Sequence, residues 1–265
     1  LAQRNIREPK TAKFLHNVKS AKELYELKPV SKDDSWISEQ VSLVKELTSS
    51  FGNEVLTFYN IFAPATAFKW SVEGADKKLA QFIKEDKYAV LYALSVIAKN
   101  TQAVAEAVIS EGKADGIYLS VQTIQDAFVG PDLYAEVISP SELSVLNAAI
   151  DAGGKNILHV CGYEGARNNL SLFKNYPANA VNFASVVEGV SLAEAKKIFG
   201  GKTIIGGFAN TTDGILFSGT KEEIQAETKR ILKDSGRTGI ILGADCTIPR
   251  STDLQHLEWI REAAE

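Results

Sequence analysis

The chain has 265 residues, and 29 Lys and Arg against 33 Asp and Glu give a formal net charge of −4 at pH 7. Because no run of five or more basic residues occurs, a surface that tracks phosphates is not expected, and nucleic acid is excluded as the first choice of partner. Hydrophobic residues at 45% and charged residues at 23% are ordinary for a globular protein, which excludes disorder as the default state.

Membrane insertion and secretion are not expected either. The longest strongly apolar stretch, 89–98, is about half as long as a membrane-spanning helix requires. A polar segment with Lys and Arg follows Leu1, where a secretory signal would have an apolar region. Two cysteines cannot form a disulfide framework. We therefore expect a cytoplasmic protein that does not bind membranes.

Short β-branched runs alternate with amphipathic stretches along the chain. In chain order, the pattern predicts a helical stripe that ends at Gly52, strand 55–62, helix 88–112, strand 114–120, a helix from a capping box at Ser139, strand 156–162, strand 178–185, a helix from a capping box at Ser191, strand 203–209, a helix from a capping box at Thr220, strand 239–246 and helix 254–264. A strand, a capped helix and a glycine in this order are typical of βα units.

Repeated βα units predict a parallel sheet, which is either open and doubly wound or closed into an eight-stranded barrel. No glycine-rich phosphate turn follows an early strand, which disfavours the doubly wound dinucleotide-binding class. We therefore expect an α/β fold of the (β/α)8 TIM barrel type. The pattern contains only six strands, and the residues before 55 have too little β pattern for two more units. We expect the first two strands to lie outside this sequence.

The carboxyl ends of the strands are where barrel enzymes carry their chemistry. His159 and Cys161 are two residues apart in strand 156–162, so they lie on the same face, and strand 239–246 ends in Cys246. A closed barrel would bring all three to one mouth. One imidazole and two thiolates are a suitable three-ligand set for Zn²⁺, with the fourth position open for a substrate. Such a site suits a thiol substrate, because a coordinated thiol is deprotonated at neutral pH.

The alternative is that both cysteines are small buried hydrophobic residues and that His159 is a hydrogen-bonded core histidine. Two cysteines that both fall at strand ends, one of them beside a histidine on the same face, favour the metal site.

Other polar residues at the predicted strand ends are candidates for substrate binding or for lining the pocket, although ordinary loop and capping roles stay open for them. They are Tyr59, Asn60, Tyr118, Gln122, Asn182, Asn210, Asp213 and Asp245. Glu164 and Asp245 are close to the cysteines in sequence. Either is a candidate for a fourth ligand or for an acceptor of a hydrogen bond from His159.

The segments 156–162 and 241–249, which contain His159, Cys161 and Cys246, resemble the uroporphyrinogen decarboxylase superfamily. The resemblance extends from about Val55 to the end and includes the segments 59–66, 114–118, 205–210 and 219–224. It implies one (β/α)8 barrel domain over residues 1–265, in which the six predicted strands are barrel strands three to eight.

The superfamily has two main branches. True decarboxylases work without a cofactor and use an N-terminal Arg-Gln-Ala-Gly-Arg segment, an aspartate after strand two and a histidine on the last strand. Methyltransferases move a methyl group from a corrinoid to a thiol, with zinc held by His-x-Cys and a distant Cys. The last predicted strand here has Cys246 and no histidine, which resembles the second branch.

The resemblance therefore implies a methyltransferase with His159, Cys161 and Cys246 as metal-binding and catalytic residues. It also implies Zn²⁺, a methylcorrinoid donor, a small-molecule thiol acceptor and a corrinoid protein as partner. Two alternatives stay open at this point: a carboxy-lyase of porphyrin biosynthesis, and a carrier of metal or corrinoid without catalytic activity.

Overall fold

The computed structural model describes residues 7–52 and 54–265, apart from the side chain of Glu164. Within these residues, six strands alternate with helices, and their order in the parallel sheet follows their order in the chain. The strands are β1 (Phe58–Phe62), β2 (Gly116–Val121), β3 (Ile157–Val160), β4 (Ala180–Phe183), β5 (Thr203–Phe208) and β6 (Ile240–Ala244). The expected α/β class with a parallel sheet is confirmed.

The helices of the described residues are α1 (Pro9–Asn17), α2 (Ser35–Phe51), α3 (Pro64–Lys69), α4 (Ala75–Ser110), α5 (Pro131–Leu133), α6 (Ser139–Asp151), α7 (Ser185–Glu188), α8 (Leu192–Ile198), α9 (Ile215–Ser218), α10 (Lys221–Ser235) and α11 (Gln255–Ala264). Short 3₁₀ turns at Ala21–Glu26, Tyr163–Gly165 and Leu170–Phe173 and a π-helical turn at Tyr134–Ile138 complete the helical structure. None of the helices in this part of the chain combines the length and apolarity that a bilayer crossing requires.

Two of the predicted helix starts are confirmed in detail. The Ser191 hydroxyl accepts a hydrogen bond from the backbone N–H of Glu194, and the Glu194 carboxylate accepts one from the backbone N–H of Ser191. Thr220 and Glu223 make the same reciprocal pair at the start of α10. Each pair provides hydrogen-bond acceptors for two backbone N–H groups that have no partner within the helix.

The predicted capping box at Ser139 is wrong. The chain is already helical from Pro131 and passes through the π-helical turn into α6. Ser139 therefore lies within a continuous helical segment, whereas a capping residue lies just before the first turn. The Glu142 side chain is fully buried and binds the hydroxyls of Tyr134 and Tyr176 instead of the backbone N–H of Ser139.

Helix α4 is longer than the predicted helix 88–112, because it also contains residues 75–85. The two parts meet at a kink at Asp86, whose backbone is extended (φ −160°, ψ 96°). The Asp86 carboxylate accepts hydrogen bonds from the backbone N–H groups of Tyr88 and Ala89, so it caps the second part as an N-terminal residue does. The predicted start at 88 is therefore the start of the second part.

The chain divides into two compact units, and the first one runs to Leu158 and includes Tyr176–Ala178. In this unit, α4 packs against α2, α3 and α6. Strands β1 and β2 pair in parallel, with Asn60 opposite Tyr118. Because side chains alternate along a strand, these two share one face of the pair, and the buried Ile61 and Leu119 share the other.

The second unit contains His159–Asn175 and Asn179–Glu265. Its strands β4, β5 and β6 pair in parallel, with Asn182 opposite Ile205 and Ile205 opposite Ile241. Helix α8 packs on β5, and α10 packs against α8 and α11. Parallel pairing brings the carboxyl ends of β4, β5 and β6 to the same edge.

A buried carboxyl group with two tyrosines lies in the first unit. The Tyr176 hydroxyl is 2.5 Å from one oxygen of Glu142, and the Tyr134 hydroxyl is 3.1 Å from both oxygens. Burial raises the pKa of Glu142 from 4.5 to about 7, although the hydrogen bonds from the tyrosines favour the charged form. The folded chain therefore binds the Glu142 proton more tightly than the unfolded chain does.

We predict that Glu142→Gln reduces the dependence of stability on pH. Because folding raises this pKa, the contribution of Glu142 to stability is complete below about pH 4.5 and is lost as the pH rises through about 7. The loss amounts to roughly 3 kcal/mol over this interval. Urea unfolding at several pH values checks this, with the exposed Glu111→Gln as control. A Glu142→Gln variant with the wild-type slope would contradict it.

Candidate metal centre

Three potential ligands from two distant parts of the sequence meet in the second unit. His159 lies on β3, Cys161 follows the end of β3, and Cys246 follows the end of β6. One ligand atom from each of these residues lies within 4.8 Å of the others. His159 is buried, with 3% of its surface exposed, and the two cysteines are half-buried and form no disulfide. The structure thus brings together the three side chains that the sequence analysis selected.

The imidazole of His159 lies between two side chains. Its Nδ1 is 2.5 Å from Oδ1 of Asn182, and its Nε2 is 3.5 Å from Sγ of Cys246. Asn182 is on the neighbouring strand β4 and is buried. The ring is therefore held at both nitrogens, with one nitrogen facing a carboxamide and the other facing the cysteines.

The second potential ligand is held through its backbone. The Asn168 amide donates a 2.9 Å hydrogen bond to the carbonyl of Cys161. The same amide and the backbone N–H of Asn168 donate to the carboxylate of Glu188, which is buried. The sequence analysis missed Asn168 and Glu188, because neither is at a strand end or in a motif.

The backbone next to the third potential ligand is held by Asp245. Its carboxylate accepts hydrogen bonds from the Ser185 hydroxyl at 2.8 Å and 3.0 Å, from the backbone N–H of Val186 at 2.9 Å and from that of Gly207 at 3.2 Å. Both oxygens of Asp245 are occupied by these donors, and Asp245 is not in the group of close ligand atoms. Burial raises its pKa, and the hydrogen bonds oppose that effect.

The contacts of Cys246 favour its thiolate form. The hydrogen bond with Cys161 and then the interactions with His159 hold the pKa of Cys246 well below its ordinary value of 9.0, although burial acts in the opposite direction. The thiolate is the form of cysteine that binds metals. The surroundings of Cys246 therefore favour the form of its side chain that can bind a metal.

The remaining candidate residues belong to both units. In the first unit, the Tyr59 hydroxyl donates to Gln40 on α2 at 2.9 Å, Asn60 is exposed, Tyr118 is half-buried and Gln122 is buried.

In the second unit, the Asn210 amide donates a 3.2 Å hydrogen bond to the carbonyl of Thr247, the residue after Cys246. Asp213 lies in an exposed loop. The expectation for Glu164 concerns a side chain outside the described residues.

Two consecutive glycines lie in β5, and the first of them leaves room for Asp245. Gly206 and Gly207 have φ values of +146° and +111°, which residues with a side chain rarely adopt. A Cβ on Gly206 would lie 3.3 Å from Oδ1 of Asp245. Gly243, the register partner of Gly207 on β6, has no such backbone constraint, and a Cβ there would meet Ile205 at an ordinary 3.5 Å.

Comparison with known proteins gives three findings. The family model for uroporphyrinogen decarboxylase matches residues 3–265. The methylcobamide:CoM methyltransferase MtbA of Methanosarcina mazei is 26% identical over 250 residues, which are 94% of this chain and 70% of that protein. A B12-independent methionine synthase from Shewanella sp. W3-18-1, solved in complex with selenomethionine, superposes with a TM-score of 0.53 at 11% identity. This match covers 84% of this chain and 65% of that structure, and it concerns the fold alone.

We predict that Gly207→Ala destabilises the protein by about 1–3 kcal/mol, because alanine cannot adopt this backbone conformation without strain and its Cβ would lie only 3.2 Å from Ile231. The matched control is Gly243→Ala, which adds the same methyl group to the paired strand without a positive φ. The free energy of unfolding in urea measures both. Equal effects of the two substitutions would show that the φ of Gly207 is not the cause.

Proposed function

Because the chain belongs to the uroporphyrinogen decarboxylase family, we propose that it is a zinc-dependent methyltransferase that moves a methyl group from a methylcorrinoid to a thiol acceptor. The observation that carries this proposal is the cluster of His159, Cys161 and Cys246, whose ligand atoms lie within 4.8 Å of one another. The relative MtbA, whose name contains both a methylcobamide and CoM, supports the same class of reaction.

The donor set suits zinc. One imidazole nitrogen and two cysteine sulfurs are ligands that zinc takes in tetrahedral sites, and three protein ligands leave one position for a substrate. His159, Cys161 and Cys246 would hold the ion. When bound, zinc stabilises the thiolate form of a substrate thiol at neutral pH, where the free thiol is mostly protonated.

The residues of the chain would orient the reaction partners. His159 is buried, whereas solvent reaches part of Cys161 and part of Cys246. A thiol would approach the ion from the cysteines. The Asn168 bond to the carbonyl of Cys161 and the Asp245 bonds beside Cys246 keep both cysteine backbones in place, so little rearrangement is needed on binding.

The proposed reaction is balanced without an external oxidant or reductant. The carbon–cobalt bond of the methylcorrinoid breaks, and a carbon–sulfur bond forms to the acceptor. Both electrons of the broken bond stay with the cobalt, and the acceptor supplies the electron pair of the new bond after its thiol proton has been released to solvent.

We predict that the purified protein contains about one zinc ion per chain and that Cys161→Ala and Cys246→Ala each lose it. Elemental analysis of protein purified without chelator measures the content. His16→Ala, which removes an exposed histidine outside the cluster, is the control and is expected to keep the metal. If the wild type took up no zinc after reconstitution under reducing conditions, the two cysteines would have no metal-binding role and the carboxy-lyase alternative would be favoured.

We also predict that Cys246→Ala abolishes the thiol-dependent demethylation of methylcobalamin. The reaction is followed by the absorbance of the corrinoid, with coenzyme M and homocysteine as trial acceptors and His16→Ala as control. Full activity of Cys246→Ala would contradict the proposal. Uroporphyrinogen turnover that survives chelation would indicate a carboxy-lyase. Stoichiometric binding of zinc or corrinoid without any methylated thiol would indicate a carrier.

A further inference from the structure

The side-chain amide of Asn182 contacts three other strands or strand ends of the second unit. Its Nδ2 is 3.0 Å from the carbonyl oxygen of Ile205 on β5 and 3.2 Å from that of Ala244 on β6. Its Oδ1 is 2.5 Å from Nδ1 of His159 on β3. Only 2% of Asn182 is exposed, so these contacts are made away from water.

The two carbonyl contacts determine which way the amide points. A backbone carbonyl oxygen only accepts hydrogen bonds, so the atom that faces Ile205 and Ala244 has to be the NH₂ group, which has two hydrogens to donate. The opposite orientation would set Oδ1 against two carbonyl oxygens in a buried site, where the three oxygens repel one another, which is costly. The oxygen of Asn182 therefore faces His159.

The orientation of the amide in turn determines where the proton of His159 lies. An amide oxygen accepts and cannot donate, so Nδ1 of the imidazole has to carry the hydrogen at this 2.5 Å contact. A neutral imidazole has one N–H and one free lone pair, so the lone pair is on Nε2. Nε2 is the nitrogen that lies 3.5 Å from Cys246 and faces the cysteines.

We propose that Asn182 is a positioning residue that selects the Nδ1–H tautomer of His159 and thereby presents the lone pair of Nε2 to the metal. The metal part of this inference rests on the zinc centre of the proposed function, whereas the tautomer does not. Partners of this kind on a metal-binding histidine typically contribute a factor of 10–100 in metal affinity.

The test combines two readouts on Asn182→Leu, which has a similar volume but no acceptor. At a pH at which the imidazoles are neutral, long-range ¹H–¹⁵N NMR correlations of the reduced metal-free protein give the tautomer of each imidazole. We expect the wild type to have His159 with the proton on Nδ1 and Asn182→Leu to lose this preference. Competition with a chromogenic chelator gives the zinc affinity, which we expect to be about 10–100-fold weaker in Asn182→Leu.

Two controls accompany this experiment. Asn182→Asp keeps an acceptor oxygen opposite Nδ1 and is expected to retain the tautomer, although its second oxygen faces the carbonyls of Ile205 and Ala244 and lowers the stability. His256 is an internal reference in the same spectra, because its Nδ1 is 2.8 Å from the carbonyl of Leu216 and its signals should not depend on residue 182. If Asn182→Leu does not fold, Asn182→Ala also removes the acceptor at reduced volume and replaces it in both measurements.

The two readouts separate the possible failures. Unchanged tautomer and affinity in a folded variant without the acceptor would overturn the role of Asn182 and leave the zinc centre intact. Absence of zinc binding in the wild type would overturn the zinc centre, and the tautomer measured in metal-free protein would still decide whether Asn182 orients His159. A wild type with the proton on Nε2 would overturn the inference directly.

Discussion

The second unit depends on hydrogen bonds that buried side chains make across the carboxyl ends of its parallel strands. Buried polar groups without a hydrogen-bond partner are costly. Asn182 supplies two donors to the carbonyls of Ile205 and Ala244, and Asp245 accepts from the N–H groups of Val186 and Gly207. One carboxamide and one carboxylate thus join β4, β5 and β6, the carboxamide also contacts His159 on β3, and Cys246 follows the end of β6.

Much of this arrangement could be predicted from the sequence, because it depends on local periodicity. All six strands were expected, and the alternation of side chains along a strand is sufficient to put His159 and Cys161 on one face. Parallel strands bring their carboxyl ends together, which is the reason Cys246 could be expected near them although it is distant in sequence. The starts of α8 and α10 were expected for a similar reason, since a capping box is completed within four residues.

The parts that could not be predicted are those in which a local signal is overridden by a distant partner. The Ser139 capping pattern is intact, yet Glu142 binds Tyr134 and Tyr176, and Tyr176 is 34 residues away. Asn168 and Glu188 hold the carbonyl of Cys161 from positions without any distinctive pattern. Likewise, Asp245 could be a metal ligand or an acceptor for backbone N–H groups. Which of the two it is depends on the donors around it in the fold, and the spacing of residues in the sequence does not show these.

The separation of the ligands along the chain has a consequence for folding. Between Cys161 and Cys246 lie the strands β4, β5 and β6, so in the unfolded chain these two thiols are at the ends of a long flexible loop. A metal that needs all three donors would bind the folded second unit and have little affinity for the unfolded one. Its binding free energy would then be added to the stability of that unit, in proportion to the logarithm of the free metal concentration. The same three side chains would in this way make the lifetime of the folded unit depend on the metal supply of its surroundings.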